Sequence, residues 1–248
     1  MKVSDALFEK VKDAGLSLEQ IEQLDNKLRA QGFYEEDIES FDALYKNRYG
    51  QTYGPEFLEA NLVAVISDGG FVLLKYNYLT IRNATISDSD LLSKWWNDGK
   101  VMAHAGFPNG TGQTSKEIAE SLQQDTDDTR RRLILERENT PIGEMNYKNS
   151  GDGIAEIGIK ICDFSMQEKG YGRILLSMLI GELFSMGYKK IVLDTNLNNT
   201  RAQHVYETLG FLKIRVNIDS WKNQLGELES SIDYELYENH FINFIKLE

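Results

Sequence analysis

The stretch from Ile154 to Met186 restricts the fold more than any other. An apolar strand, Ile154 to Cys162, passes through a short loop to Gly170 and Gly172, which open a long helix apolar from Ile174 to Phe184. Glycines at a helix start let the backbone approach a ligand closely, and the unbonded N–H groups of a first turn favour an anion. Such a segment is either a phosphate cradle or a glycine-relaxed turn ahead of a buried helix. In the first case the donors are the amides of Lys169, Gly170, Tyr171, Gly172 and Arg173, with Arg173 adding charge. Spacing alone leaves both open. It does exclude two other cradles. Arg173, Ile174 and Leu175 follow Gly172 where a dinucleotide fingerprint needs a third glycine, and no Gly-Lys-Ser/Thr closes a Walker loop.

Strands and helices alternate around this segment from about Tyr78. Leu79 to Arg82 reads as a strand, and Ser87 or Asp88 caps a helix carrying Leu91, Leu92, Trp95 and Trp96. Thr114 and Glu117 have the spacing of a capping box. Arg132 to Glu138 and Ile142 to Tyr147 read as a hairpin around Asn139-Thr140-Pro141. Ile191 to Thr195 is a strand, Thr200 to about Leu209 a helix, and Phe211 to Val216 and Ile232 to Tyr237 two closing strands. This order predicts an α/β fold with a mixed sheet.

The first 75 residues follow a helical period instead. Val3, Leu7, Phe8 and Val11 share a stripe ending at Gly15, and Ser17 with Gln20 opens a second helix bearing Leu18, Ile21, Leu24 and Leu28. Ile38, Phe41, Leu44 and Tyr45 mark a third helix and Glu56 to Val63 a fourth. We expect a small all-α module over 1–75, acting as a dimerisation element or as a lid, and a second domain over 76–248. The module holds no chemical motif.

Composition narrows the partners. With 27 Lys and Arg against 39 Asp and Glu, the chain carries a net charge of −12, unsuited to nucleic-acid backbones and better matched to a cationic acceptor. Cys162 is the single cysteine, so no internal disulfide is possible and a structural zinc cluster is excluded for lack of thiolates. His104, His204 and His240 lie far apart and form no metal-binding pattern, so no metal is expected. The N-terminus lacks an apolar signal core and the longest apolar runs are too short to span a bilayer. The expectation is a reduced, cytoplasmic protein with no membrane partner.

Gln167-x-x-Gly170-x-Gly172 resembles the Q/R-x-x-G-x-G/A signature of the GNAT superfamily of acetyl-CoA-dependent N-acetyltransferases. Downstream, Asn198-Asn199-Thr200-Arg201-Ala202-x-x-x-Tyr206-x-x-Leu209-Gly210-Phe211 resembles the family's second signature, in the correct order. The resemblance covers roughly Tyr78 to Tyr237. It implies a mixed, mostly antiparallel central sheet flanked by helices, with acetyl-CoA as co-substrate. It also implies direct attack by a primary amine of a small molecule or a peptide N-terminus, with no acyl-enzyme. The alternative function is a non-catalytic acetyl-CoA-binding or interaction module.

The resemblance also assigns roles. The strand end at Ile161 and Cys162 splays from its neighbour and pairs with the pantetheine arm, its N–H groups polarising the thioester. Gln167 and the Lys169 to Arg173 amides hold the pyrophosphate, and Asn199 contacts the pantetheine. Tyr206 protonates the leaving thiolate, unless it is a core aromatic. Glu156 is the expected general base, against a reading as a solvated glutamate, and Glu144 is its substitute or an anionic contact for the acceptor. The Cys162 thiol reads as buried and inert. The acceptor pocket is expected along Trp95 to Gly110, with Trp95, His104 and Phe107 as contacts. For Trp95 the alternative is plain core, and for His104 a satisfied loop histidine. Asp219 to Gly226 rims the same pocket, and Arg201 either reaches the coenzyme phosphates or lies on a solvated face.

Overall fold

The computed structural model describes residues 73–126 and 128–245, together with isolated positions between Asp5 and Asn26. Those isolated positions are helical, and Leu7, Ile21 and Asp25 among them are buried. The expected third and fourth helices lie outside the described residues.

Eight strands form one sheet in the order β1-β2-β3-β4-β5-β6-β8-β7. They are β1 (Leu73–Tyr76), β2 (Leu79–Asn83), β3 (Arg130–Arg137), β4 (Thr140–Asn149), β5 (Ile154–Ile161), β6 (Lys190–Asn196), β7 (Leu212–Lys222) and β8 (Leu228–Tyr237). The described helices are α1 (Ser89–Trp96), α2 (Gly99–Met102), α3 (Ser115–Leu122), α4 (Tyr171–Ser185) and α5 (Thr200–Thr208). Every neighbouring pair is antiparallel except β5–β6. Parallel strands need a crossover, and α4 supplies it, so the sheet is mixed but mostly antiparallel, as expected. The sheet takes in β1 and so begins ahead of the boundary drawn at residue 76.

Two cores lie on opposite faces. On one, α4 and α5 cover Ile157, Ile191, Leu193, Ile232 and Tyr234; Leu175, Leu176, Leu179, Ile180 and Leu183 of α4 are almost fully buried. That explains a helix apolar on nearly all sides. On the other, Leu92 and Trp95 of α1 and Ile118 and Leu122 of α3 pack on Ile134 and Cys162. Arg82 ties the β2 end together, binding Asp88 at 2.7 Å and Glu136 at 2.8 Å.

Two local details depart from the expected pattern. The β3–β4 turn is the pair Glu138-Asn139, with φ of 50° and 62°, and Thr140 and Pro141 already belong to β4. Pro141 has no N–H to give the ladder, and the register shifts opposite it, between Leu135 and Glu136. At the other end, β7 and β8 extend to Lys222 and from Leu228, well past the expected strands. Along β7 the alternation of Leu212, Ile214, Val216 and Ile218, all exposed, runs past the expected end and then stops, and the outer end of β8 begins with the polar run Glu229-Ser230-Ser231.

Candidate active site

The parallel pair β5–β6 is joined only from Ile154↔Lys190 to Glu156↔Val192, while β5 continues to Ile161 and β6 to Asn196. Beyond Glu156 the strands diverge. Cys162 N–H donates to the Ile142 carbonyl at 2.9 Å, so it and its alternate residues face β4. The backbone groups of Ile159 and Ile161 therefore point into the gap, while their side chains pack on the α4 face. This corrects one expectation: Cys162 offers no free N–H, and its side chain lies in the α1–α3 core at 5% exposure. Burial, and after it the charge of Glu144, pushes its thiol well above the ordinary thiol range. Ile161 and Ile159 take the place assigned to the strand end.

The gap opens into a cavity of about 770 Å³, lined on one side by Gln167, Gly170, Tyr171, Gly172 and Arg173 and on the other by Asn199, Arg201 and Tyr206. Gly170 is the N-cap of α4 in a left-handed conformation, φ 79°, and no side chain caps this helix start. A Cβ added at Gly172 meets nothing within 4 Å, so the space beside it belongs to the cavity and not to packing. The α4 amides thus face open volume. Gln167 braces the loop from below: its Nε2 donates to the Ile161 carbonyl at 2.8 Å, and its Oε1 accepts from Arg201 at 2.9 Å. Arg201 also reaches Glu168 at 3.2 Å. Lys169 is not among the lining residues.

Asn199 caps α5, its side-chain oxygen accepting from Ala202 N–H at 3.2 Å. Two turns on, Tyr206 lines the cavity with its ring edge-on to Phe211 and Tyr234, both at 5.8 Å. It is therefore a core aromatic and a cavity residue at once. Burial, and then the charge of Asp194, pushes its phenol up to about 12.

The structure separates the candidate carboxylates. Glu156 sits where β5 still pairs with β6, outside the cavity lining, and its carboxylate lies 3.7 Å from Lys148 Nζ. Glu144 is buried and committed, accepting from Trp96 Nε1 at 2.9 Å and from Lys160 Nζ at 3.1 Å. Asp194 lines the cavity where the strands have parted, on the same face of the sheet as Glu156. Partial burial first, then Asp233, then Glu156, hold its carboxyl above the usual aspartate range. A carboxyl shifted towards neutrality and a high-pKa phenol, lining one cavity and coupled electrostatically, can divide the proton transfers: the carboxylate takes a proton from an ammonium while the phenol gives one up. Sequence reasoning missed Asp194, because no motif marks it and only the β5–β6 register shows that it follows Glu156 on that face.

A family model described as an acetyltransferase (GNAT) domain matches residues 78–212. The chain belongs to the GNAT acetyltransferase family. A ribosomal protein bS18-alanine N-acetyltransferase of Haemophilus ducreyi is 31% identical over 75 residues, which is 30% of this chain and 52% of that protein. An uncharacterised protein of Methanocaldococcus jannaschii is 36% identical over 86 residues, 34% of this chain. The chain thus matches only 18% and 52% of the lengths of these two relatives. Among solved structures, spermidine N-acetyltransferase from Vibrio cholerae, in complex with CoA and spermine, superposes with a TM-score of 0.60 at 21% identity. It covers 67% of this chain and 99% of that one.

On the far side of the GNAT cavity, two loops meet. The β7–β8 turn docks on the segment after α2: Gln224 N–H donates to the Gly106 carbonyl at 2.8 Å and its Nε2 to the Gly110 carbonyl at 3.0 Å, while Asn109 N–H donates to Gln224 Oε1 at 2.9 Å. The Trp221 ring lies so close to Gly106 that a Cβ there would collide with it. Lys100, Val101, His104, Ala105 and Trp221 line this end of the cavity. Of the expected acceptor contacts, His104 reaches the cavity, whereas Trp95 is 8% exposed in the α1–α3 core and Phe107 is exposed and not part of the lining. No described helix is long and apolar enough to cross a membrane.

Proposed function

We propose that this chain transfers the acetyl group of acetyl-CoA to a primary amine of a small molecule or peptide N-terminus, by direct attack with both substrates bound. The observation that carries this reading is the uncapped start of α4 opening on the same cavity that holds Tyr206 and Asp194. The cavity's glycine-lined mouth and the edge of β5 that β6 leaves open, where Gln167 takes the Ile161 carbonyl, suit a pyrophosphate followed by an extended amide-bearing arm. Bound there, acetyl-CoA supplies the activated acyl group as a thioester.

The protein's own groups divide the remaining work. Amides of Tyr171, Gly172 and Arg173 take the phosphates, and the Ile159 and Ile161 backbone aligns the arm and polarises the acyl carbonyl. Asp194 accepts the proton of the incoming ammonium and Tyr206 donates one to the departing sulfur. Lys100, His104 and Trp221 face the acceptor. Spermidine and a ribosomal-protein alanine, for which two similar proteins are named, both present a primary amine, which fits this arrangement.

The test is thiol release from acetyl-CoA with a panel that includes spermidine and an alanine-initiated peptide, with acetylated product identified by mass. Amine-dependent release supports the reading. Tight coenzyme A binding without product from any amine would favour the non-catalytic binding module instead.

A further inference from the structure

After β8 the chain makes one 3-10 turn, Glu238–His240, and continues as a strap along α4. Ile242 N–H donates to the Leu209 carbonyl at 2.9 Å, and Gly210 backs onto the His240 carbonyl too closely for any side chain. Phe241 lies 6.0 Å from Phe184 in the last turn of α4. Phe244 N–H donates to Ser177 Oγ, a fully buried hydroxyl in the second turn of the helix, at 3.1 Å. The strap therefore runs antiparallel to α4 and brings Phe244 beside its first turn, where the Arg173 guanidinium sits 4.2 Å from the centre of the Phe244 ring.

This contact differs in kind from those of the neighbouring cation. Arg201 gives its N–H groups to Glu168 and Gln167. A guanidinium stacked on a ring uses its face, and its five in-plane donors stay available. Arg173 lines the cavity beside the open amides of α4.

We propose that Phe244 is a positioning residue for coenzyme binding. It holds Arg173 at the cavity lip with its donors free for a pyrophosphate. The proposal rests on the reading of the α4 start as the phosphate cradle. Without the ring, Arg173 must be ordered by the ligand itself, which weakens binding by roughly 3- to 10-fold.

Calorimetric titration of the full chain with coenzyme A tests this. Phe244→Leu is expected to weaken binding by about that factor, and Phe244→Tyr, which keeps the ring face, to bind like wild type. In an Arg173→Ala background, Phe244→Leu should cost nothing more, a coupling that loss of packing alone does not produce. If Phe244→Leu unfolds, Phe244→Met replaces it with a ringless side chain of similar bulk. Unchanged affinity in the ringless variant while Arg173→Ala binds weakly overturns the proposal and spares the cradle. So does an equal loss from the Phe244 change with and without Arg173. Unchanged affinity in Arg173→Ala overturns the proposal together with that residue's part in the cradle, whereas a wild-type chain giving no heat at all overturns the cradle reading itself.

Discussion

Asp194 and Asp233 stand directly opposite each other across the β6–β8 ladder. Like charges in paired positions destabilise a sheet. Arg215 relieves one of them, binding Asp233 at 2.8 Å, and Asp194 is left facing the cavity. The carboxyl of Asp194 is accordingly held above the ordinary aspartate value of 3.8. Because the folded-state pKa is raised, the native state favours the protonated form. The resulting penalty is absent below the unfolded value and present once the pH passes the folded one. Asp194→Asn should therefore raise the midpoint of thermal unfolding at neutral pH, with the difference closing as the pH falls below the aspartate range. The same variant should lose turnover, by about 100-fold or more if the group takes the ammonium proton. A variant no more stable at neutral pH than wild type would show that the pair does not repel.

Tyr206→Phe keeps the ring that Phe211 and Tyr234 pack against and removes the hydroxyl. We expect turnover to fall about 100-fold with little change in the KM for acetyl-CoA, as for loss of a proton donor acting only in the transition state. Steady-state thiol release measures both. An equal fall in affinity would instead make the hydroxyl a binding group.

Gly172→Ala adds a methyl where no protein atom lies within 4 Å. Inside a helix the change is neutral or stabilising by up to about 1 kcal/mol. The methyl enters the cavity, so coenzyme A affinity should fall about tenfold. Thermal unfolding and calorimetric titration, run on one preparation, read the two opposite effects.

Cys162 is buried and its thiol is pushed up, so the thiolate that alkylating reagents require is scarce. Native protein should resist iodoacetamide, and Cys162→Ala should retain turnover while losing about 1 kcal/mol of stability. Rapid native labelling coupled to inactivation would contradict the placement.

Arg82 is nearly buried between Asp88 and Glu136, which are themselves almost fully enclosed. Arg82→Met leaves two carboxylates without their cation, at a cost of about 3–5 kcal/mol in denaturant unfolding. A loss below about 1 kcal/mol would mean that water reaches the cluster.

The legible parts of this molecule were local ones. Gln167, Gly170, Gly172, Asn199 and Tyr206 lie within a few residues of a helix end, where one turn of backbone sets their geometry. The strand-to-helix order was legible for the same reason, since apolar period and caps are properties of short windows. The carboxylates were not. Glu144, Glu156 and Asp194 are all strand residues next to apolar neighbours, and nothing local distinguishes them. The outer end of β8 escaped notice because Glu229-Ser230-Ser231 carries no hydrophobic alternation, and that of β7 because its alternation stops at Ile218, short of the strand's end at Lys222.

The amino-acid order by itself determined the α/β plan, the crossover helix and the glycine-lined loop at its start, since each follows from propensity and capping within one element. Only the tertiary structure decided that Asp194 faces the cavity, that Lys160 and Trp96 occupy Glu144, that Cys162 is sealed in the α1–α3 core, and that Phe244 meets Arg173. These depend on strand register and on where distant segments cross. One residue of slip in a sheet sends every side chain to the other face, and local sequence does not specify that count.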